Sequence, residues 1–261
     1  NGLSADRFLV QNVTRRFGET IALEKVSLEI KAGERVALVG PSGAGKTTLL
    51  RLLNGTLLPT EGALKVGDID LSTISHFNLR RVRSQIGFVH QDSSLVPNVR
   101  VSQNIISGKL GQRSFLNAIR AWFFPSRKDL SQAHEILERV GIPEKLFHRT
   151  DSLSGGQQQR VGIARALFQD PRAILADEPV SSVDPARARD TVSLLTDICR
   201  ERKVTLIMSL HNLELAREFF PRLIGIRQGK IAFDHGPDTV DDTCFHRLYD
   251  LGKDEMMDDG A

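Results

Sequence analysis

Apolar and polar positions along the chain follow two periods. Residues 21–30 (IALEKVSLEI) alternate in part, which predicts a strand with one buried face. The next four residues, KAGE, read as a turn. Residues 35–40 (RVALVG) are a short continuous apolar run, the pattern of a parallel strand buried on both faces. It ends in a glycine-rich loop. Residues 45–54 favour a helix, stopped by Gly55 and Pro59. Residues 84–92 (SQIGFVHQD) form another apolar run, ending in polar residues.

From Asp92 to Thr150 the pattern changes to a helical one. In residues 131–142 (SQAHEILERVGI), Ala133, Ile136, Leu137 and Val140 recur at i, i+3, i+4 and i+7, one helix face. Gly141 is placed to end that helix. Strand-like runs then return at 173–178 (AILADE), 204–211 (VTLIMSLH) and 223–234 (LIGIRQGKIAFD), with helical stretches between the first two. Strands alternating with helices predict an α/β protein with a parallel sheet, and the helical middle reads as an insertion in it. There is no internal repeat and no low-complexity segment.

Composition adds little. A formal charge of +3 on 261 residues, with a pI of 9.0, describes a solvated surface and gives no argument for nucleic acid. Cys199 and Cys244 have neither metal nor redox spacing, which fits a reducing compartment. The first residues lack the apolar core of a signal peptide. No apolar run approaches the roughly 18 residues that span a bilayer, so a soluble chain is expected. The polar, acidic last residues, 251–261 (LGKDEMMDDGA), are expected to form a flexible tail.

The chemistry sits in three motifs. GPSGAGKT, from Gly40 to Thr47, matches G-x-x-x-x-G-K-[ST] between a predicted strand and a predicted helix. Such glycines let successive backbone N–H groups curl around phosphate oxygens, and the helix N-terminus adds partial positive charge. Lys46 is placed to reach the β- and γ-phosphates of ATP, and Thr47 to ligate Mg²⁺. The nucleotide-binding set is Gly40, Pro41, Ser42, Gly43, Ala44, Gly45, Lys46, Thr47 and Thr48. Asp177 and Glu178 end an apolar strand, where ligands gather in a doubly wound sheet. Asp177 is placed to hold Mg²⁺ and Glu178 to polarise an attacking water. The third motif, LSGGQ at 153–157, precedes a helix-like run. On its own it reads equally as a helix start capped by Ser154 or as a second anion loop.

Together these motifs resemble the ATP-binding cassette (ABC) ATPases over nearly the whole chain, LSGGQ being that family's signature. The resemblance implies a RecA-like P-loop NTPase core with a parallel sheet, an N-terminal antiparallel β region and an inserted α-helical subdomain. It divides the chain into a core of residues 1–90 and 160–250 and a helical subdomain of residues 91–159. It implies a head-to-tail dimer of two copies that sandwiches two ATP molecules. In that dimer Ser154, Gly155, Gly156 and Gln157 of one copy cap the γ-phosphate held by the other, so each motif is half of a composite site. Gln91 corresponds to the family's Q-loop glutamine, at Mg²⁺ and the attacking water. His211 corresponds to its switch histidine, and Ser181 to Asp184 to its D-loop, with Asp184 across the seam. Phe17 takes the aromatic position that stacks on adenine, where Tyr is commoner.

The same resemblance implies partners. A cassette without spanning segments is the arrangement of bacterial importers. It docks on separate permease subunits at the cytoplasmic face of the inner membrane, served by an external substrate-binding protein. Residues 92–105 (DSSLVPNVRVSQNI) would carry the permease contact, with Gln103 where many relatives have Glu. The insert at 107–130, with its SGKLGQ start, and the Ser-Leu-His at 209–211 are similar to phosphonate importer ATPases. Ser181-Ser182-Val183-Asp184 departs from the usual Ala-Ser-Leu-Asp. Phosphite, phosphate or another oxyanion, and a non-transport ABC ATPase, are the alternatives.

Overall fold

The computed structural model describes residues 6–92, 94–180, 184–240 and 248–249. Strands β1 (Phe8–Phe17) and β2 (Thr20–Ile30) open the chain, and β3 (Arg35–Val39) leads through the glycine loop into α1 (Lys46–Leu53). Strands β4 (Glu61–Val66) and β5 (Ile69–Asp70), helix α2 (His76–Arg83) and strand β6 (Ile86–Val89) follow. The middle is helical: α3 (Val101–Ser107), α4 (Phe115–Phe123), α5 (Arg127–Arg139) and α6 (Gly155–Phe168). The chain then alternates through β7 (Ala173–Ala176), α7 (Pro185–Arg202), β8 (Thr205–Leu210) and α8 (Leu213–Phe219). It closes with β9 (Arg222–Arg227) and β10 (Lys230–His235).

Two sheets result. An antiparallel sheet has the order β2-β1-β4-β5, and a six-stranded sheet has the order β10-β9-β3-β8-β7-β6. In the larger sheet β6, β7, β8, β3 and β9 run parallel, and β10 pairs antiparallel on the edge. The expected α/β core with its N-terminal antiparallel region and helical insertion is therefore the observed architecture.

The central strand shows why both faces are covered. Val36 and Leu38 belong to one buried cluster, with α1 and the antiparallel sheet. Ala37 and Val39, pointing the other way, belong to a second, with α3, α5, α6 and α7. Period-2 alternation within a wholly apolar run thus serves two cores at once. The helical segment shares the second core: Ala133, Ile136, Leu137 and Val140 are all buried in it. Gly141 follows with φ +76°, the left-handed stop.

Two elements differ from the sequence pattern. Residues 223–234 are not one run but a hairpin. Gln228 and Gly229 both have positive φ, 48° and 73°, the geometry of a two-residue turn whose twist matches the strands. Among the residues of helix α2 whose burial is described, Leu79 and Val82 are the buried apolar positions, too few for a period to show. No helix among the described residues is long and apolar enough to cross a membrane.

Candidate functional site

The phosphate-type loop is shaped by backbone, not by side chains. Gly40, Gly43 and Gly45 have φ of 151°, 77° and 109°. A Cβ at Gly40 would lie 2.1 Å from the Ile226 carbonyl oxygen, and one at Gly45 would lie 2.7 Å from that of Ala22. Only glycine fits either place. The β9–β10 turn supports the loop from behind, with the Gly229 N–H donating to the Ala44 carbonyl at 3.0 Å. Gly45 leaves the start of α1 without a side-chain cap, so its first N–H groups remain available to an anion.

Lys46 and Thr47 open α1. Lys46 is 4 % exposed, and its Nζ donates to the carbonyls of Gly40 (2.8 Å) and Pro41 (3.0 Å). It also lies 3.5 Å from Glu178 Oε1. Burial pushes its ammonium below the usual lysine range, and the charge of Glu178 opposes that shift. The Thr47 hydroxyl donates to Asp177 Oδ1 at 3.0 Å. Pro41, Ser42 and Thr48 complete the loop and the first turn.

Asp177 and Glu178 follow β7 at the carboxyl end of the sheet. His211 Nε2 lies 2.6 Å from Glu178 Oε1, so Lys46 and His211 grip one carboxylate from two elements. Glu178 holds φ +45°. Its N–H donates to Ser209 Oγ at 2.8 Å, and the Ser209 hydroxyl donates to Asp177 Oδ1 at 3.0 Å. Ser209 is a residue to which the motifs assign no role. The signal for it is a serine inside the buried strand β8, where an unpartnered hydroxyl would be costly.

LSGGQ begins α6. Ser154 Oγ accepts from the Gln157 N–H, and Gln157 Oε1 accepts from the Ser154 N–H at 3.1 Å, a reciprocal cap. Gly155 and Gly156 are different. Neither has a left-handed backbone, and a Cβ on Gly155 would meet nothing within 4 Å. On Gly156 the nearest atom would be Arg187 Nη1 at 4.0 Å. Nothing in the packing of the described residues calls for glycine here, although glycine is a poor helix former.

Gln91, Ser154, Gly155, Gly156 and Asp184 line one cleft of about 470 Å³. Glu178, Ser209 and His211 line another, of about 410 Å³, between α7 and α8. The loop of residues 40–47 borders neither. A larger cavity of about 600 Å³ opens at Asp170, Arg172 and Val204, the amino ends of the strands. Volume there does not mark chemistry, because ligands of such sheets gather at the carboxyl ends. Asp184 caps α7 and pairs with Arg187, Oδ2 to Nε at 3.2 Å. Ser181, Ser182 and Val183, the rest of the expected D-loop, lie outside the described residues, as does the expected tail at 251–261. Phe17 is 44 % exposed at the end of β1, with the Arg15 guanidinium 4.5 Å above its ring.

Comparison with known families decides what this arrangement is. The family described as ABC transporter matches residues 23–181. The chain belongs to the ABC transporter family. Among curated relatives of this cassette is the "Phosphonates import ATP-binding protein PhnC" of Wolinella succinogenes, 40 % identical, covering 92 % of this chain and 87 % of that protein. A second, "PhnC 2" of Cupriavidus metallidurans, is 45 % identical over 90 % of this chain and 83 % of its own. Among solved structures, a dimeric post-hydrolysis ATP-binding cassette bound to ADP and Pi is 31 % identical. It covers 88 % of this chain and 98 % of that one, with a TM-score of 0.75. A nucleotide-free cassette from an ABC transporter, 24 % identical, covers 94 % and 99 % with a TM-score of 0.80 and has the same fold.

Proposed function

We propose that this chain is the ATP-hydrolysing subunit of an importer for phosphonates, acting as a head-to-tail pair on separate permease subunits at the cytoplasmic face of the membrane. The observation that carries hydrolysis is the Glu178 carboxylate, held between Lys46 and His211 beside an open phosphate-type loop. The names of the relatives support the cargo.

Glu178 is the general base. Ser209 of strand β8 holds its backbone, and His211, just past the end of that strand, holds its carboxylate. When ATP enters, its phosphates replace the loop carbonyls as partners of Lys46. The Lys46–Glu178 contact then loosens and frees the carboxylate to orient a water. His211 contacts the γ-phosphate from the other side. Thr47 and Asp177 present a hydroxyl and a carboxylate oxygen 3.0 Å apart, hard donors that fit Mg²⁺, with Gln91 as a third. Mg²⁺ bound there would offset charge on the β- and γ-phosphate oxygens. Phe17 stacks on the base.

The two clefts support pairing of copies. Gly155 and Gly156 leave empty space at a helix N-terminus, room for the γ-phosphate of ATP held by a second copy, with Ser154, Gln157 and Asp184 at its edge. Residues 91–159 would move as the helical subdomain when that pair closes.

Disruption of the gene in its host tests the cargo. Growth on a phosphonate as sole phosphorus source should be lost, growth on phosphate retained, and the defect repaired by the wild-type gene but not by Glu178→Gln. Unimpaired growth on phosphonate in a host with no second importer would overturn the cargo and direct uptake assays to phosphite and other oxyanions.

A further inference from the structure

Helix α4 reverses the pattern of the other helices. Its buried residue is the small Ala121, turned toward the body of the protein. Its large residues face outward: Phe115 and Leu116 are each 77 % exposed, Phe123 is 64 % and Phe124, just past its end, 78 %. At 100° per residue, Phe115, Leu116, Ile119 and Phe123 fall within one face about 100° wide. Contiguous exposed apolar surface of this kind marks an interaction site.

Charge narrows the partner. Between Asp92 and Asp129 there is no acidic residue, whereas Arg100, Lys109, Arg113, Arg120, Arg127 and Lys128 are basic. Arg120 borders the apolar face, and Arg127 and Lys128 follow it directly. All three are exposed and have no ion pair among the described residues. A protein groove for this helix would gain from acids of its own only at fixed points. A helix with Phe and Leu on one side, cations at the border and no acid has the composition of one that lies in a membrane interface.

The helix is also held ready. Arg113, before it, pairs with Asp129, after it, at 2.5 Å. Gln103 Nε2 of α3 donates to the Trp122 carbonyl at 3.4 Å. The apolar face is thus fixed outward by the fold, and no ordering cost remains for the surface that receives it.

We propose that α4 is a lipid-contact element that lays Phe115, Leu116, Ile119, Phe123 and Phe124 into the surface of a bilayer carrying anionic lipid, with Arg120, Arg127 and Lys128 at the headgroups. This is a contact of the cassette itself with lipid, separate from any permease contact and independent of the cargo.

Co-sedimentation of the intact chain with phosphatidylcholine vesicles, with and without about one-third phosphatidylglycerol, tests it. Trp122 is the only tryptophan and lies within α4, so its emission reports the contact directly. Binding to the anionic vesicles with a blue shift of Trp122 is expected. It should weaken at high salt, and by roughly five-fold for each of Arg120→Gln and Arg127→Gln. Phe115→Ser/Phe123→Ser should reduce binding at least about ten-fold. These residues are exposed, so folding and phosphate release from ATP should be unchanged. Absence of binding to anionic vesicles at low salt overturns the proposal, as does binding that the double substitution leaves intact. Loss of permease capture in the variant, with no vesicle binding by wild type, would make α4 a protein-docking face instead. Phosphate release in the same samples keeps the ATPase reading separate, since catalysis without vesicle binding removes the lipid contact alone.

Discussion

A single carboxylate organises the candidate site. Glu178 receives Lys46 and His211 on its side chain and Ser209 on its backbone. Glu178→Gln should lower phosphate release by about 10²–10⁴-fold with ATP binding retained, the range for loss of a positioned base. Release within two-fold of wild type would remove that role. Lys46→Ala should weaken both nucleotide binding and turnover, measured by titration calorimetry and phosphate release. Ser209→Ala leaves the Glu178 N–H without its acceptor and Asp177 Oδ1 with Thr47 but not Ser209 as donor, at a cost of about 1–3 kcal/mol in chemical denaturation. The loop and the acidic pair were legible in the sequence because each combines a spacing with a strand end. Ser209 was not, since one serine in an apolar run has no periodicity of its own. The grip of Lys46 on Gly40 and Pro41 was equally hidden, because a side chain that folds back on its own loop leaves no pattern.

At the scale of elements, helix α6 separates two uses of glycine. Gly40 and Gly45 are required by neighbouring backbone, whereas Gly155 is required by nothing among the described residues. Gly155→Leu should therefore leave the fold as stable or raise it by roughly 0.5–1 kcal/mol, yet abolish turnover, as thermal melting and phosphate release would show together. Destabilisation with turnover intact would overturn the half-site reading. The start of α5 gives a pH test. Burial acts to raise the Asp129 carboxyl, but hydrogen bonds from Arg113 and Ser126 outweigh it and hold the group below the usual carboxylate range. A depressed folded value contributes stability above the unfolded pKa of about 3.9, and that stability is lost as pH falls through the lower folded value. Acid titration should show a stability loss in that window that Asp129→Asn removes. Helix α5 was readable from its period and its glycine stop. The β9–β10 hairpin was not, because Gln-Gly is a weak turn signal between two apolar runs and only the left-handed φ at both positions reveals it.

The whole molecule places Ser154 and Asp184 on one cleft and Glu178 and His211 on another, the arrangement that the proposed pairing of two copies would join. Glu178→Gln should accumulate as an ATP-dependent dimer in light scattering. A monomer at saturating ATP, with permease present, would count against the sandwich. Cys199 is 1 % exposed and burial pushes its thiol up to about 12, so it should resist alkylation at pH 8 until the chain is denatured, as peptide mapping would show. The fold class was readable from strand and helix order, but the outward face of α4 was not. A stripe of Phe and Leu at helical spacing reads the same whether it meets a core or the outside.

The left-handed backbone of Glu178 has a consequence for evolution in the laboratory. A non-glycine residue at φ +45° costs about 1 kcal/mol, and glycine at that position would relieve it. Replacing Glu178, the proposed base, would then be rewarded by any screen that scores heat tolerance alone. Variants of this cassette chosen for robustness without an assay of phosphate release should drift toward silence at position 178.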